Sequence, residues 1–491
     1  MATEFCCRSG GSNLNAGTRN GSATEPGTSA DFTYLGGAYA SGVFTVASGN
    51  PLSDGVAVGD FASIYIPGST VTGFVARVTA RTATTITVST SIKAGTAPAN
   101  GTCDLKIGGA WQGPNGAVAF PFGFFQGTAT DITGNLPRVN FKNDQTYSIT
   151  TTMVHGTIGP ADFQGYTTTY GDLGRATVDG GTLGAAYVLL TVNSSGVDRN
   201  RLIDFNFENN GQTGTADGVS CTSDRFLFLR CSVQNVRGNG FLAGLAVECE
   251  ARNCNQNNST SAGGFRAGAA NIGTFIRCIS HHHSQGNGVG FYDQSGNTSY
   301  INCIAANNGQ YGFYFNNLTA SVRLLNCDAY SNGQDGVRVI TGSGPVFMEN
   351  CNFTDNGGIA VNRPSGTATI LMFNCGLGSG SAANAGLTSP AVGCYTADNV
   401  FMYPANAVPW VNPTTGDFRI NLAEAKNAGR GNFTQVALGG SFTGTVGYPD
   451  IGAAMHIDAG GGGGATTPVK YWNGSAWVEG AALKWTGSAW E

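Results

Sequence analysis

Charge is scarce in this chain: Asp, Glu, Lys and Arg make up 11% of 491 residues and leave a formal net charge of −5. Nucleic acid is bound through a basic stripe on the protein, and none is present, so that partner is excluded. Long apolar runs are missing too. No stretch reaches the roughly 18 residues that a transmembrane helix needs, so membrane insertion is not expected. The opening residues Met1 to Arg8 lack a basic flank followed by an apolar segment, and no export signal of that type is expected. Cysteine is plentiful at 13 residues but lacks the arrangement of a zinc site, since Cys6-Cys7 stands without a second pair or histidines and is too close for an ordinary disulfide.

What the chain does have is a period. Cys231, Cys254, Cys278, Cys303, Cys327, Cys351 and Cys375 follow one another at steps of 23 to 25 residues, the mark of a repeat array. Asn302, Asn326, Asn350 and Asn374 directly precede the last four, and Asn308-Gly309, Asn332-Gly333 and Asn356-Gly357 come about five residues after. Alternation of period two marks strands at Phe313 and Phe315, Val337 and Val339, and Ile359 and Val361, and again at Val322 and Leu324, and Val346 and Met348. From Leu324 to Cys327 is an odd step, which puts the thiol on the wrong face unless the chain bends. Asparagine tolerates the left-handed backbone of such a bend, and stacked amides bond as a ladder.

Short strands separated by Asn and Gly corners, one turn every 24 or so residues, give a parallel β-helix with Cys, Phe, Val, Ile and Leu inside. Thiols that point in parallel at one inward position read as small buried hydrophobes rather than disulfides or a metal site, which suits assembly in a reducing cytoplasm.

In chain order, residues 1–30 read as a Gly/Ser/Thr/Asn-rich arm, 31–110 as a small antiparallel β domain, and 111–138 as a neck with Pro114, Pro121 and Pro137. The coil follows over 139–455 in about a dozen rungs, with Phe205 in the cysteine place of an early one. Residues 456–468 hold the Gly460–Gly464 run, a linker, and 469–491 carry a duplicated phrase containing Trp472, Trp477, Trp485 and Trp490. Asn473-Gly474 signals a hairpin there, and four tryptophans on so short a tail need a partner surface for attachment.

Asn412-Pro-Thr-Thr-Gly-Asp-Phe-Arg-Ile, Asn427-Ala-Gly-Arg-Gly and Asp450-Ile-Gly-Ala resemble terminal turns of the right-handed parallel β-helix repeat family. The resemblance implies that fold and gives no chemistry. The fold class is all-β: a right-handed parallel β-helix with a small N-terminal β domain and a short C-terminal Trp-rich β-hairpin tail. The tail itself resembles the Trp-Asn-Gly-Ser-Ala-Trp endings of bacteriophage tail and head proteins, and 31–110 resembles modules found on similar proteins. Such proteins leave the cell by lysis and need no export signal.

Chemistry is harder to find. A glycan-cleaving tailspike needs two outward carboxylates about 5 Å or 6.5–9.5 Å apart. The candidates are Asp293, Asp335 and Glu349, with Asp328 and Asp355 also outward, against the simpler reading of solvated corner acids. The Asn-Thr-Asp, Asp-Asp, Gly-His-Gly and Arg-Ile-Lys set of polygalacturonase-like β-helices is missing, as are the Gly-Gly-x-Gly-x-Asp repeats of calcium-binding rolls. His281-His282-His283 is the sharpest polar oddity, yet three consecutive strand residues cannot all face one ion, and an exposed corner is expected. Tyr292, Tyr311 and Tyr314 form either a sugar-stacking strip or a cover for the coil or for a subunit contact. No cofactor and no metal are expected.

These features point to a structural surface protein of a bacteriophage particle, a spike, fibre or decoration standing off the virion as a rod. It is assembled in the bacterial cytoplasm as a homotrimer, touches other virion proteins, and presents surfaces to a host glycan. A polysaccharide depolymerase and a bacterial surface adhesin are the alternatives.

Overall fold

The computed structural model of the chain describes residues 4–19, 25–115, 138–155, 162–181, 186–192, 200–211, 213–221, 226–260, 262–267, 273–294, 296–365 and 367–378, together with strands at 395–398, 401–402, 410–412, 417–420, 469–472 and 477–480. The 456–468 linker, Trp485 and Trp490 lie outside the described residues, as do 116–137 of the 111–138 neck.

The coil is a right-handed parallel β-helix of three sheets. One turn supplies Thr298–Ile301 to sheet 1, Ile304–Ala306 to sheet 2 and Phe313–Phe315 to sheet 3 before Val322–Leu325 begins the next. Each strand pairs in parallel with its counterpart one turn on: Tyr300 with Leu324, Ala305 with Ala329, Phe313 with Val337. Among the described residues sheet 1 has 12 strands, sheet 2 has 11 and sheet 3 has nine. Inside, like sits on like. Phe241, Phe265, Phe291 and Phe313 form a stack with ring centroids 5.0, 5.1 and 4.9 Å apart, close to the ~4.8 Å between neighbouring strands.

The bend before each thiol is a single left-handed residue: Asn302, Asn326, Asn350 and Asn374 have φ of 54, 51, 53 and 48°. Turning the backbone there brings the next side chain inward. Cys303 Sγ donates to Phe275 O at 3.3 Å and Cys327 Sγ to Tyr300 O at 3.4 Å, each reaching back one turn. In the earlier turns charged residues hold the same conformation: Asp204, Arg230, Glu248 and Arg277, with φ of 60, 52, 55 and 53°. Phe205 follows the first of these and is fully buried.

One expectation is corrected here. Cys254 does not stand in the thiol column; Cys249 does, directly after left-handed Glu248, with its Sγ on Phe228 O at 3.5 Å. The turn from Cys231 to Cys249 takes 18 residues and the turn from Cys249 to Cys278 takes 29, so a short and a long turn average to the 24-residue step that Cys254 mimics. Cys254 follows left-handed Asn253 at the next corner, between sheets 2 and 3. A second correction concerns the turn after Cys351: Val361 pairs with Val337, so Ile359 stays half-buried at the corner instead of entering the strand.

The start of the chain also differs from the arm expected for residues 1–30. Glu4–Cys7 is the first strand of sheet 1, paired in parallel with Arg138–Lys142. The chain then leaves the coil to build a closed six-stranded barrel from strands between Phe32 and Ile107. The barrel encloses Phe44, Ile64, Val78, Ile86 and Leu105. Returning, it lays Trp111 flat on Phe5 at 5.0 Å, with Phe61 of the barrel edge-on to Phe5 at 5.7 Å. Trp111 Nε1 donates to Asn15 O at 2.7 Å. Gly17, at φ 79°, lies so close that a Cβ would sit 2.5 Å from the indole. Only glycine fits there.

At the far end, Trp410–Asn412 pairs antiparallel with Asp417–Ile420. Trp410 lies on the outer face of sheet 2, edge-on to Tyr330 at 4.9 Å, and its Nε1 donates to Asp328 Oδ2 at 3.2 Å. In the tail, Val469–Trp472 and Trp477–Gly480 form an antiparallel pair.

Candidate functional site

The three candidate acids sit on different parts of the coil. Asp293 ends a sheet 3 strand, is buried, and accepts from the Gly296 amide at 3.1 Å. Asp335 lies at the corner leading into a sheet 3 strand two turns later. Its Oδ1 accepts from Ile359 N at 2.9 Å, and its Oδ2 from Arg338 Nη1 and Asn362 Nδ2, both at 2.9 Å. Glu349 is half-buried on the outer face of sheet 1. Asp293 and Asp335 belong to opposite ends of their strands and Glu349 to another sheet, so the geometry does not assemble them into a carboxylate pair. Asp293 shares the inward side of its strand with Phe291, in register with Phe315, and Asp335 is drawn in by a backbone N–H and by an arginine.

The histidine triplet is divided by a corner. His281 ends a sheet 2 strand facing outward, His282 is the left-handed corner residue at φ 56°, and His283 turns into the core. His283 is thus buried, not part of an exposed corner as expected. Its Nδ1 accepts from Cys254 N at 2.9 Å, which leaves the proton on Nε2 for Ser280 Oγ at 2.9 Å, and Ser280 Oγ donates to Gly290 O at 2.7 Å. Burial, followed by the charges of His281 and His282, pushes its pKa down to about 3, so it is neutral. One turn on, the place of His283 is taken by Asn308, then Asn332 and Asn356. Asn308 Nδ2 donates to Asn332 Oδ1 at 2.9 Å and Asn332 Nδ2 to Asn356 Oδ1 at 2.8 Å. Here a true amide ladder runs inside the coil.

Outside, His281 Nε2 lies 2.9 Å from Glu250 Oε1 and its Nδ1 lies 2.6 Å from His282 Nδ1. The bond from His281 holds the Glu250 carboxyl below its ordinary range. With Nε2–H donated to Glu250, His281 Nδ1 accepts from His282, so the three side chains form one hydrogen-bonded chain on the outer surface. Among the described residues no group of three His, Cys, Asp or Glu is placed to hold a metal.

The tyrosines form a stack capped by arginine at both ends. Arg266 lies over Tyr292 at 5.3 Å, Tyr292 stacks on Tyr314 at 5.2 Å, Tyr314 on Tyr311 at 5.1 Å, and Arg338 lies over Tyr311 at 5.0 Å. Tyr292 is buried. The ring faces that would pack on a sugar are spent on neighbours, so this stack braces sheet 3.

Sequence reading missed the charged column at the first corner, because it looked for asparagine. Arg230 grips Asp204 through two bonds of 2.7 and 2.8 Å, and Arg277 Nε reaches Glu248 Oε1 at 2.9 Å. The signal was available in the alternation of sign, Asp204, Arg230, Glu248, Arg277, each one residue before Phe205 or a cysteine.

Together the sheets and corners define an all-β protein built on a right-handed parallel β-helix with an N-terminal barrel. The family described as "Right handed beta helix region" matches residues 217–372. No curated protein matches the sequence. Among solved structures the chain is similar to pectate lyase Pel9A, at 18% identity and a TM-score of 0.46, covering 70% of this chain and 96% of that one. It is also similar to ORF18 of Geobacillus virus E2, at 15% identity and a TM-score of 0.39, covering 55% of this chain and 53% of that one. The A-module of the mannuronan C-5 epimerase AlgE6 of Azotobacter vinelandii is similar at 12% identity and a TM-score of 0.31, covering 56% of this chain and 93% of that one.

Proposed function

We propose that this chain is a structural surface protein of a bacteriophage particle, a rod that holds attachment or host-binding surfaces away from the virion. The observation that carries the reading is the way the barrel is spliced into the coil. Because Glu4–Cys7 is the first strand of sheet 1 and Trp111 closes over it, the barrel cannot swing on a tether. A rod that must transmit position from a mount to a distant tip needs such a joint; a soluble catalyst does not. The likeness of the Trp472–Trp477 phrase to phage tail and head endings supports the particle as the partner. On this reading the tail tryptophans attach, copies of the chain associate side by side as a trimer, and the exposed surfaces meet a host glycan.

Immunogold labelling of purified particles with antibody against residues 31–110 tests the proposal. Gold on intact virions is expected. Protein found only in the unassembled fraction of the lysate, or purified protein that cleaves host polysaccharide and loses that activity on Asp293→Ala, Asp335→Ala or Glu349→Ala, contradicts it.

A further inference from the structure

The three sheets differ in what they show to solvent. The outer face of sheet 2 carries Asn206, Ser232, Glu250 and His281, and that of sheet 3 carries the Arg-Tyr stack. Sheet 1 is different: its strands Leu227–Leu229, Leu245–Val247 and Ile370–Phe373 are apolar on both faces. Parallel strands that read as unbroken hydrophobic runs belong to sheets covered on both sides.

The register lines these outer residues into columns. Ile203, Leu229, Val247, Ile276, Ile301 and Leu325 succeed one another, one per turn, along the rod. The neighbouring column, two residues earlier in each strand, holds Leu227, Leu245, Phe347 and Leu371 but is interrupted by Thr274, Ser299 and Arg323, and the first column passes through Glu349 before Phe373. Inward neighbours such as Phe228, Phe275 and Leu324 are fully buried, whereas Leu229, Val247, Ile276, Ile301 and Leu325 remain half-buried in the single chain. From Ile203 to Phe373 the two columns span a face about 34 Å long and about 12 Å wide, roughly 400 Å² and mostly apolar. Apolar patches of a few hundred Å² are about the largest that a monomer leaves in water, and they often mark contact surfaces.

We propose that the outer face of sheet 1 is where copies of this chain pack against one another. The proposal rests on the rod reading above and names the face that its self-association uses. Three observations select a second copy as the occupant. A straight column with one side chain every ~4.8 Å is matched along its whole length only by a partner of the same period. The described chain beyond the stripe turns elsewhere, since Trp410 is seated on sheet 2. The face's area is about half of the ~800 Å² that each partner buries in a stable complex, enough for the centre of an interface. Arg323, exposed and lying 5.9 Å over Phe347, and half-buried Glu349 supply opposite charges for a polar component of the interface.

Light scattering on the full chain after size exclusion is expected to give an oligomer. Val247→Arg combined with Leu325→Arg is expected to give monomers with unchanged far-UV circular dichroism, while Ser148→Arg, on the exposed outer face of sheet 2, leaves the oligomer intact. Should the double variant fail to fold, Ser299→Cys decides: this near-isosteric change at mid-stripe is expected to yield a covalent dimer with a short bismaleimide. A monomeric wild-type chain, an oligomer that survives the double substitution as a folded protein, or Ser299→Cys protein that stays uncrosslinked overturns the proposal. A monomer that still labels virions with gold would remove this interface and leave the particle assignment standing.

Discussion

At the scale of single residues, the coil is held by polar side chains that have turned inward. Asp335 satisfies the Ile359 amide, Arg338 and Asn362 at once, with only 5% of its side chain exposed. Removing one member of such a buried set leaves the others unpaired. Asp335→Ala is therefore expected to lower the unfolding free energy by about 2–4 kcal/mol, measured by urea denaturation, and Asp335→Asn by less; an unchanged midpoint would show that the carboxylate is idle. His283 makes a pH prediction. Its imidazole is neutral in the fold, with a pKa near 3 against an ordinary 6.5. As pH falls below 6.5 the unfolded chain takes up a proton that the fold refuses, so the stability is whole above that value and drains away toward pH 3. The slope from this one group is about 1.4 kcal/mol per pH unit. His283→Asn, which puts in the residue that neighbouring turns use, is expected to flatten the profile between pH 6 and 4 by that slope. Parallel profiles for the two proteins would contradict it.

At the scale of elements, the corners carry more of the fold than the strands, which are three to five residues long in most turns. Asn332 shows why. Its Oδ1 accepts from Asn308 and its Nδ2 donates to Asn356 and to Ala305 O at 3.1 Å. Asn332→Ala orphans groups in two neighbouring turns and is expected to cost about 2–3 kcal/mol, with faster hydrogen exchange at Asn308 and Asn356; exchange unchanged at both would refute the ladder's role. Much of this was legible in the sequence. Asn-Gly about five residues after Cys303, Cys327 and Cys351 announced the corner, and alternation announced Phe313, Phe315, Val337 and Val339 as inward. What misled was arithmetic: Cys254 keeps the 24-residue step by coincidence, while Cys249 keeps the place. Spacing reports the mean turn, and only the left-handed residue before the thiol reports the register. Left-handed Arg230, Glu248 and Arg277 showed only through the alternation of sign, because their residue types disfavour that conformation, and the fold offsets the strain, about 1 kcal/mol or more each, with ion pairs between turns.

At the scale of the whole molecule, the described residues form a coil whose first strand, Glu4–Cys7, precedes the barrel in the chain, a joint no local signal announced because Phe5 meets Trp111 from the far side of the barrel sequence. The candidate site was less legible than the fold. Left-handed His282 turns His283 inward against the expected exposed corner, Asp335 sits at a corner that alternation does not reach, and Asp293 shares the inward side of its strand with Phe291. The outer face of sheet 1, by contrast, is apolar in strands such as Leu227–Leu229, and the proposed contact between copies uses it.

The account rests on one register, and sulfur anomalous scattering from a crystal reads it directly. Sulfur peaks for Cys231, Cys249, Cys278, Cys303, Cys327, Cys351 and Cys375 are expected in one straight row at steps of about 4.8 Å, with Cys254 off the row beside His283. A row that includes Cys254 in place of Cys249, or sulfurs scattered without a common line, would contradict the coil described here.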